Sequence, residues 1–163
     1  MSEPNLRHAV RALVVDPDDR LLLARYELPH IALWATPGGG REPGEGLRDT
    51  LARELREEIG LALPDRPLPH VWHRTVVSPL AVEGFDGIVE DYFLLRTDHF
   101  EPRGELTDEQ LRAENLLELR WWGLPEIRVA EAERVKWSPR HLLDLYEALL
   151  RDGPPAEPLP LAL

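Results

Sequence analysis

The sequence contains no cysteine, a single lysine (Lys136) and no apolar run of the length that crosses a membrane. Without cysteine the chain can form no disulfide, no thiolate metal site and no cysteine nucleophile. Residues 1–5 carry no basic segment that leads into a long apolar run, so neither secretion nor membrane insertion is indicated. We therefore expect a cytoplasmic protein without a membrane partner.

Cationic side chains are scarce relative to acidic ones. Lys and Arg together number 19 against 30 Asp and Glu, which gives a formal net charge of -11. This charge repels polyanions, so we expect no nucleic-acid partner. A phosphate-bearing substrate would need a bridging cation.

The size and composition of the chain are those of one globular domain. It has 163 residues, of which 43% are hydrophobic and 30% are charged. We place the domain at residues 1–152. Residues 153–163 contain four prolines and are predicted to form an extended or flexible tail.

Strand patterns and helical patterns alternate along the chain. The predicted strands are residues 9–16, 20–26, 71–77, 88–96 and 119–122, and the predicted helices are residues 43–59, 125–133 and 139–151. Turn residues 16–19 join the first two strands into a hairpin, whereas the glycine-rich residues 29–46 are predicted to be a loop. This order favours an α+β fold with a mixed sheet flanked by helices.

The helix predicted at residues 43–59 has two distinct faces. Leucine or isoleucine recurs at every fourth residue from Leu47 to Ile59, and Gly60 follows as a stop signal. At about 100° per residue, three glutamates share a sector roughly 100° wide, and the apolar stripe is centred about 90° away. These glutamates are Glu54, Glu57 and Glu58. The helix can therefore be anchored in a core while its acids line a cleft.

Three carboxylates on one face repel each other. A pair at about 5 to 6 Å costs about 3 kcal/mol at an effective dielectric near 20. A divalent cation removes that repulsion, and oxygen ligands suit Mg²⁺, with Mn²⁺ as the other candidate. Arg53 follows Asp49 by four residues and precedes Glu57 by four, so it can bridge both and orient the ligand.

A motif with fixed spacing begins at Gly39. Its other fixed residues are Glu45, Arg53, Glu54, Glu57, Glu58 and Gly60. The motif resembles the Nudix box without a departure, and Trp34 with Pro37 and Gly38 resembles the usual lead-in. The resemblance implies the Nudix fold, a mixed β-sheet sandwiched between α-helices. It also implies a magnesium-dependent hydrolase that cleaves the pyrophosphate bond of a small-molecule substrate, a nucleoside diphosphate linked to another moiety.

The resemblance also implies roles for individual residues. The predicted metal ligands are three carboxylates and one backbone carbonyl: Glu54, Glu57, Glu58 and Gly38. The predicted catalytic set is Arg53, Glu54, Glu57 and Glu114. Glu114 lies in a charged segment, residues 106–118, from which a distal ligand or general base can reach the substrate; the alternative is a solvated surface position. Glu118 is a weaker candidate for the same role.

Side chains outside the motif are candidates for substrate binding. Arg41 and Arg74 can form bidentate contacts with phosphate, and Arg25 is a further candidate. Trp137 is the first candidate for stacking on a nucleobase, although large aromatic residues more often belong to a core.

Two histidines of one strand pattern are interpreted as structural. His70 and His73 lie three positions apart, so strict alternation sends them to opposite faces of a sheet. This spacing argues against shared metal binding.

The substrate stays open among an oxidised nucleotide, ADP-ribose and a nucleotide sugar. Relatives that act on ADP-ribose tend to carry a proline about fifteen residues after the box, where this chain has Val76, Val77 and Ser78, with Pro79 next. The alternative function is a Nudix-like module that senses a nucleotide without cleaving it. An isoprenoid diphosphate isomerase is disfavoured because that chemistry uses a cysteine. A homodimer also stays open.

Overall fold

The structure is a computed structural model that describes residues 2–162. The strands are β1 Leu6–Val15, β2 Leu21–Leu28, β3 Ile31–Ala35, β4 Gly38–Gly40, β5 His70–Val77, β6 Gly87–Arg96, β7 Leu116–Trp122, β8 Trp137–Ser138 and β9 Leu159–Pro160. The helices are α1 Leu47–Glu58, α2 Asp108–Ala113, α3 Leu124–Ala132 and α4 Leu142–Asp152. None of these helices is long and apolar enough to cross a membrane.

The strands form one mixed sheet. Its order is β8-β3-β2-β1-β6-β5-β9, with β4 paired to β1 and β7 paired to β2. β1 runs parallel to β6 and antiparallel to β2 and β4. The predicted hairpin is confirmed, because Val15 lies opposite Leu21 and one carboxylate oxygen of Asp16 accepts the N–H groups of Asp18 and Arg20, both at 2.9 Å.

The alternation of side chains along β1 places helices on both faces of the sheet. Val10, Ala12 and Val14 pack with the apolar face of α1, whereas Leu13 and Val15 pack with α3 and α4. The predicted sandwich of a mixed sheet between helices is therefore confirmed.

Helix α1 is shorter than predicted at its beginning. It starts at Leu47, and Gly46 takes the capping position, where its N–H donates to the carboxylate of Asp49 at 3.2 Å. It ends at Glu58, before Gly60 with a φ of 74°. The predicted apolar stripe is confirmed by the burial of Leu51 and Leu55.

The prediction that residues 29–46 form only a loop is wrong. Gly38–Gly40 is a strand, since Gly38 and Gly40 lie opposite Arg11 and Ala9 of β1. Gly38 has a φ of 143°, and a Cβ atom there would collide with the carbonyl oxygen of Val10. The glycines thus permit a strand that approaches β1 more closely than side chains would allow.

Two segments outside the main predicted elements are also ordered. Within residues 106–118, α2 forms behind Thr107, whose hydroxyl accepts the N–H of Gln110 at 3.2 Å. The proline-rich tail returns to the sheet, where β9 pairs with β5 and the N–H of Leu161 donates to the carbonyl of His73 at 2.8 Å. Leu161 packs against the core, which explains why this tail segment is not free.

The interpretation of His70 and His73 as residues on opposite faces is wrong. The register of β5 against β6 shifts between His70 and Trp72, and Val71 and Trp72 both pack into the core shared with α3 and α4. A bulge of this kind breaks the two-residue alternation. His70 and His73 therefore share the other face.

Candidate active site

The most buried acid of α1 is Glu58, whose residue exposure is 2%. Its Oε2 accepts the hydroxyl proton of Tyr26 at 3.2 Å, whereas its buried Oε1 has no hydrogen-bond partner in the part of the chain that the structure describes. Burial and the neighbouring negative charge of Glu54 raise the pKa of Glu58 well above its usual range. This is a costly position for a carboxyl group unless a cation compensates.

Arg53 holds the other acids of the motif in place. Its Nε and Nη2 donate to the two carboxylate oxygens of Glu45, at 2.8 and 2.9 Å. Its Nη1 donates to Oε1 of Glu54 at 3.0 Å and lies 3.5 Å from Oε2 of Glu57. The hydrogen bonds from Arg53 lower the pKa of Glu45 to about 2. The predicted bridge to Asp49 is wrong, because Asp49 caps the helix and Glu45 takes its place.

Strand β4 brings a backbone without side chains against these acids. A Cβ atom on Gly39 would lie 2.5 Å from Oε1 of Glu54, so only glycine fits without displacing the carboxylate. Arg53 Nη2 donates to the carbonyl of Gly40 at 3.1 Å and fastens α1 to this strand. Gly38 is buried in the same strand, and metal ligation by its carbonyl stays a prediction.

A cavity of about 440 Å³ opens beside β4. Its polar side is lined by Arg11, Tyr26, Gly39, Arg74, Glu90 and Glu114. Its apolar side is lined by Leu28, Leu33, Val76, Ala81, Val82 and Ile88. This volume lies within the range of about 300 to 1,000 Å³ typical of small-molecule sites.

Two arginines of the cavity share one buried acid. Arg11 and Arg74 donate through Nε to Glu90, at 2.7 and 3.0 Å, and Glu90 is 2% exposed. Burial alone would raise the pKa of Glu90, but the two guanidinium groups outweigh it and hold that pKa below its usual range. The two arginines are thus fixed in orientation, and together with Glu90 they give this wall of the cavity a net charge of +1.

Glu114 is the predicted loop residue that the fold brings to this cavity. It is an exposed residue at the end of α2, and reduced hydration together with the negative charges of Glu54 and Glu57 raises its pKa. Glu118 instead pairs with Arg25 at 3.3 Å and lines a separate hollow of about 210 Å³ that it shares with Glu58. The geometry therefore favours Glu114 over Glu118 as the acid nearest the cavity.

Two predicted substrate-binding residues lie elsewhere. Trp137 is only 9% exposed, and its ring packs edge-on against Trp122 at 5.2 Å in the core. Arg41 lines a different hollow, beside His8 and Gly46. Neither residue lines the cavity, so their predicted roles are not supported, whereas Arg74 does lie there.

The site contains residues that sequence patterns did not single out. They are Arg11 and Glu90, which contact each other between neighbouring strands, and Tyr26, which contacts Glu58 of α1; both contacts join residues far apart in the chain. The available signal was the presence of charged residues inside strand patterns that are otherwise apolar, since a buried charge needs a partner.

Oxygen donors dominate the acidic cluster. Glu54, Glu57 and Glu58 supply carboxylates only, and a bound cation would compensate the buried Oε1 of Glu58, which has no hydrogen-bond partner among the described residues. Such a set fits a hard divalent ion, Mg²⁺ or Mn²⁺.

Comparison with known proteins agrees with the fold and with the acidic helix described above. The family model of the NUDIX domain matches residues 5–146. A curated relative, the RNA pyrophosphohydrolase of Campylobacter jejuni, is 30% identical over 109 residues, which cover 60% of this chain and 67% of that protein. The uncharacterized Nudix hydrolase YvcI of Bacillus subtilis is 39% identical over 59 residues, 36% of each chain. The solution structure of the Escherichia coli ORF135 protein has a TM-score of 0.63 at 25% identity and covers 94% of this chain and 96% of its own.

The chain has a mixed sheet between helices, and its glutamate-rich helix α1 lies beside the glycine strand β4. With the family match over most of its length, the chain belongs to the Nudix family. The alignments with YvcI and with the Escherichia coli CTP pyrophosphohydrolase span 36% and 40% of those proteins.

Proposed function

We propose that this protein is a magnesium-dependent hydrolase that cleaves the pyrophosphate bond of a nucleoside diphosphate linked to another moiety. The observation that carries the proposal is the junction at Gly39, where the carboxylate of Glu54 meets the arginine-lined cavity. A phosphate bound by the arginines would lie next to the acids that suit a divalent cation.

The residues that would hold the ion are Glu54, Glu57, Glu58 and the carbonyl of Gly38. When bound, Mg²⁺ lowers the pKa of water, neutralises phosphate charge and favours in-line geometry. Arg53 orients Glu54 and Glu57 through its contacts at 3.0 and 3.5 Å, and this role needs no contact with the substrate.

Other residues of the chain act on the substrate and the water. Arg11 and Arg74 donate to phosphate oxygens through the guanidinium N–H groups not used by Glu90. Glu114 accepts the proton of the attacking water, and its raised pKa makes it a stronger base than an ordinary glutamate. The water oxygen bonds to phosphorus while the bridging oxygen leaves with the second phosphate. Glu54 is the alternative proton acceptor.

The apolar side of the cavity accommodates a nucleoside or the linked moiety. Its leucine, isoleucine and valine side chains offer contact area without base-specific hydrogen bonds. This lining keeps an oxidised nucleotide, ADP-ribose and a nucleotide sugar open as substrates.

The test is product release from a panel of nucleoside diphosphate derivatives in the presence of Mg²⁺. We expect cleavage of at least one member, loss of cleavage in excess chelator and poor restoration by Zn²⁺, since the proposed ligands are oxygens. Arg74→Gln should raise KM, while Arg128→Gln, which removes an exposed arginine paired with Glu147, should leave it unchanged. Tight nucleotide binding without any cleavage would replace the hydrolase by a sensing module, and full activity in chelator would refute the metal mechanism.

A further inference from the structure

A second group of potential metal ligands lies outside the acidic helix. His8 of β1 and His70 and His73 of β5 converge on Asp91 of β6. His70 Nε2 and His73 Nδ1 lie 2.8 and 2.7 Å from Oδ1 of Asp91, and His8 Nε2 lies 2.6 Å from Oδ2. Three imidazoles therefore surround one carboxylate.

The sheet brings these residues together on one face. The bulge at His70 aligns it with His73, and His73 lies directly opposite Asp91 in the antiparallel pairing of β5 with β6. Their sequence neighbours Arg74 and Glu90 point to the other face, into the substrate cavity. The histidine cluster therefore lies on the opposite face of the sheet from the substrate cavity, on the face against which α1 packs.

The cluster is an incomplete hydrogen-bond network: His8 and His73 are hydrogen-bonded to Asp91 at 2.6 and 2.7 Å, whereas His70 is not. Among residues 2–162, it is the one group in which three His, Asp or Glu ligand atoms, those of His70, His73 and Asp91, already lie within 4.8 Å of one another. The buried Nε2 of His70 has no hydrogen-bond partner of acceptable angle, despite its short distance to Asp91. The second ring nitrogen of His73 lies 3.3 Å from the hydroxyl of Thr75, a contact that holds the ring with Nδ1 toward the carboxylate.

Asp91 supplies the negative charge that a cation needs. It is 4% exposed, and both of its oxygens face imidazole rings, Oδ1 toward His70 and His73 and Oδ2 toward His8. A carboxylate in such a buried setting binds a cation more strongly than an exposed acid would.

We propose that His8, His70, His73 and Asp91 form a second metal site, for a Zn²⁺-like cation. His70, His73 and Asp91 offer three ligand atoms within 4.8 Å of one another, and His8, which contacts the other oxygen of Asp91, is the proposed fourth ligand; this mixture of donors suits zinc rather than magnesium. An imidazole nitrogen that carries a proton must lose it to bind the ion, and that proton moves to the other ring nitrogen or to solvent. The bound ion ties β1, β6 and β5 together, the strands that carry Arg11, Glu90 and Arg74 on the cavity side.

Zinc titration of ¹⁵N-labelled protein, with Mg²⁺ in excess to occupy the acidic helix, tests the site directly. We expect the ring nitrogens of His8, His70 and His73 to shift at one equivalent of Zn²⁺, while His30, which is exposed, stays unchanged. Competition with a chromophoric chelator should show at least about a hundredfold loss of affinity in His73→Gln and no loss in His30→Gln. The wild type should also gain roughly 5 to 10 °C in Tm at a zinc concentration about 100 times Kd.

His73 is chosen because its side chain is 41% exposed, so its replacement is compatible with folding. Asp91→Asn, checked for a native far-UV spectrum, provides the second variant. Ring-nitrogen shifts that are absent from all three histidines, or equal zinc affinity of the wild type and His73→Gln, would overturn the site. None of these readouts uses catalysis, so they stay decisive even if no nucleotide is cleaved.

Discussion

Replacement of Glu58 by glutamine should make the metal-free protein more stable while it abolishes the effect of magnesium. Glu58 is 2% exposed, has one unpartnered carboxylate oxygen and lies beside the negative charge of Glu54. The amide has almost the same shape, and its oxygen can still accept the hydroxyl proton of Tyr26.

The magnitude follows from the cost of the buried group. The amide is neutral, so it removes the repulsion by Glu54, and its N–H can donate to that carboxylate where Oε1 had no partner. An unsatisfied buried polar atom costs about 1 to 3 kcal/mol, and a repelled charge adds to it. The free energy of unfolding of Glu58→Gln in chelator should therefore exceed that of the wild type by about 1 to 3 kcal/mol. For a chain of this size, each kcal/mol corresponds to roughly 2 to 4 °C in Tm.

Thermal unfolding in chelator and across a Mg²⁺ titration is the assay. The wild type should gain stability with Mg²⁺ and overtake the variant, whose Tm should hardly respond, because only the wild type has the full ligand set. Glu131→Gln is the control, since Glu131 is an exposed residue of α3. A variant that is less stable than the wild type in chelator, and equally stabilised by Mg²⁺, would show that Glu58 is a structural acid.

Three further predictions concern the site and the fold. Glu114→Gln should lower kcat at unchanged Tm, most strongly at low Mg²⁺, and Glu118→Gln should lower kcat much less. Equal, small effects of the two substitutions in steady-state kinetics would assign the role of general base to Glu54. Gly39→Ala should weaken Mg²⁺ activation by at least about tenfold, because its Cβ would lie 2.5 Å from Oε1 of Glu54, and an unchanged titration curve would contradict the close approach. Asp16→Asn should cost about 2 kcal/mol in urea unfolding at pH 7, since Asp16 accepts two backbone N–H groups and pairs with Arg20 and His99. The pKa of Asp16 is lowered in the folded state, so its contribution to stability is present above the unfolded pKa of about 3.9 and is lost as pH falls through the folded value. A loss of stability in Asp16→Asn that persists below that pH, or that the exposed Asp65→Asn shares, would contradict the prediction.

Local periodicity was enough to predict the parts of the site that lie on one element. The spacing of Leu51 and Leu55 fixed which side of α1 enters the core, and the orientation of Glu54, Glu57 and Glu58 followed from it. The predicted hairpin of β1 and β2 is likewise a short-range feature. Each of these depends on residues within a few positions of one another.

Contacts between distant residues could not be predicted in the same way. Tyr26 and Glu58 are 32 positions apart and meet only because α1 packs on the sheet, and Arg11 and Glu90 are 79 apart and meet only because β1 pairs with β6. Strand β4 consists of glycines, which carry no side-chain pattern from which to predict a strand. The bulge at His70 reverses an inference from alternation that would hold in a regular strand.

The central claim is that the acids of α1 hold the ion on which pyrophosphate cleavage depends, and Glu57→Gln tests it most directly. The decisive measurement is the steady-state cleavage rate of the wild type and of Glu57→Gln across a Mg²⁺ titration, with Glu131→Gln, an exposed change on α3, as the control. Glu57 lies on the acidic face 3.5 Å from Arg53, and the substitution removes charge without removing volume. We expect kcat to fall at least about a hundredfold while the Tm measured in chelator stays unchanged, and the control to match the wild type. Near-wild-type turnover of Glu57→Gln at saturating Mg²⁺ would contradict the assignment of the metal site to this helix.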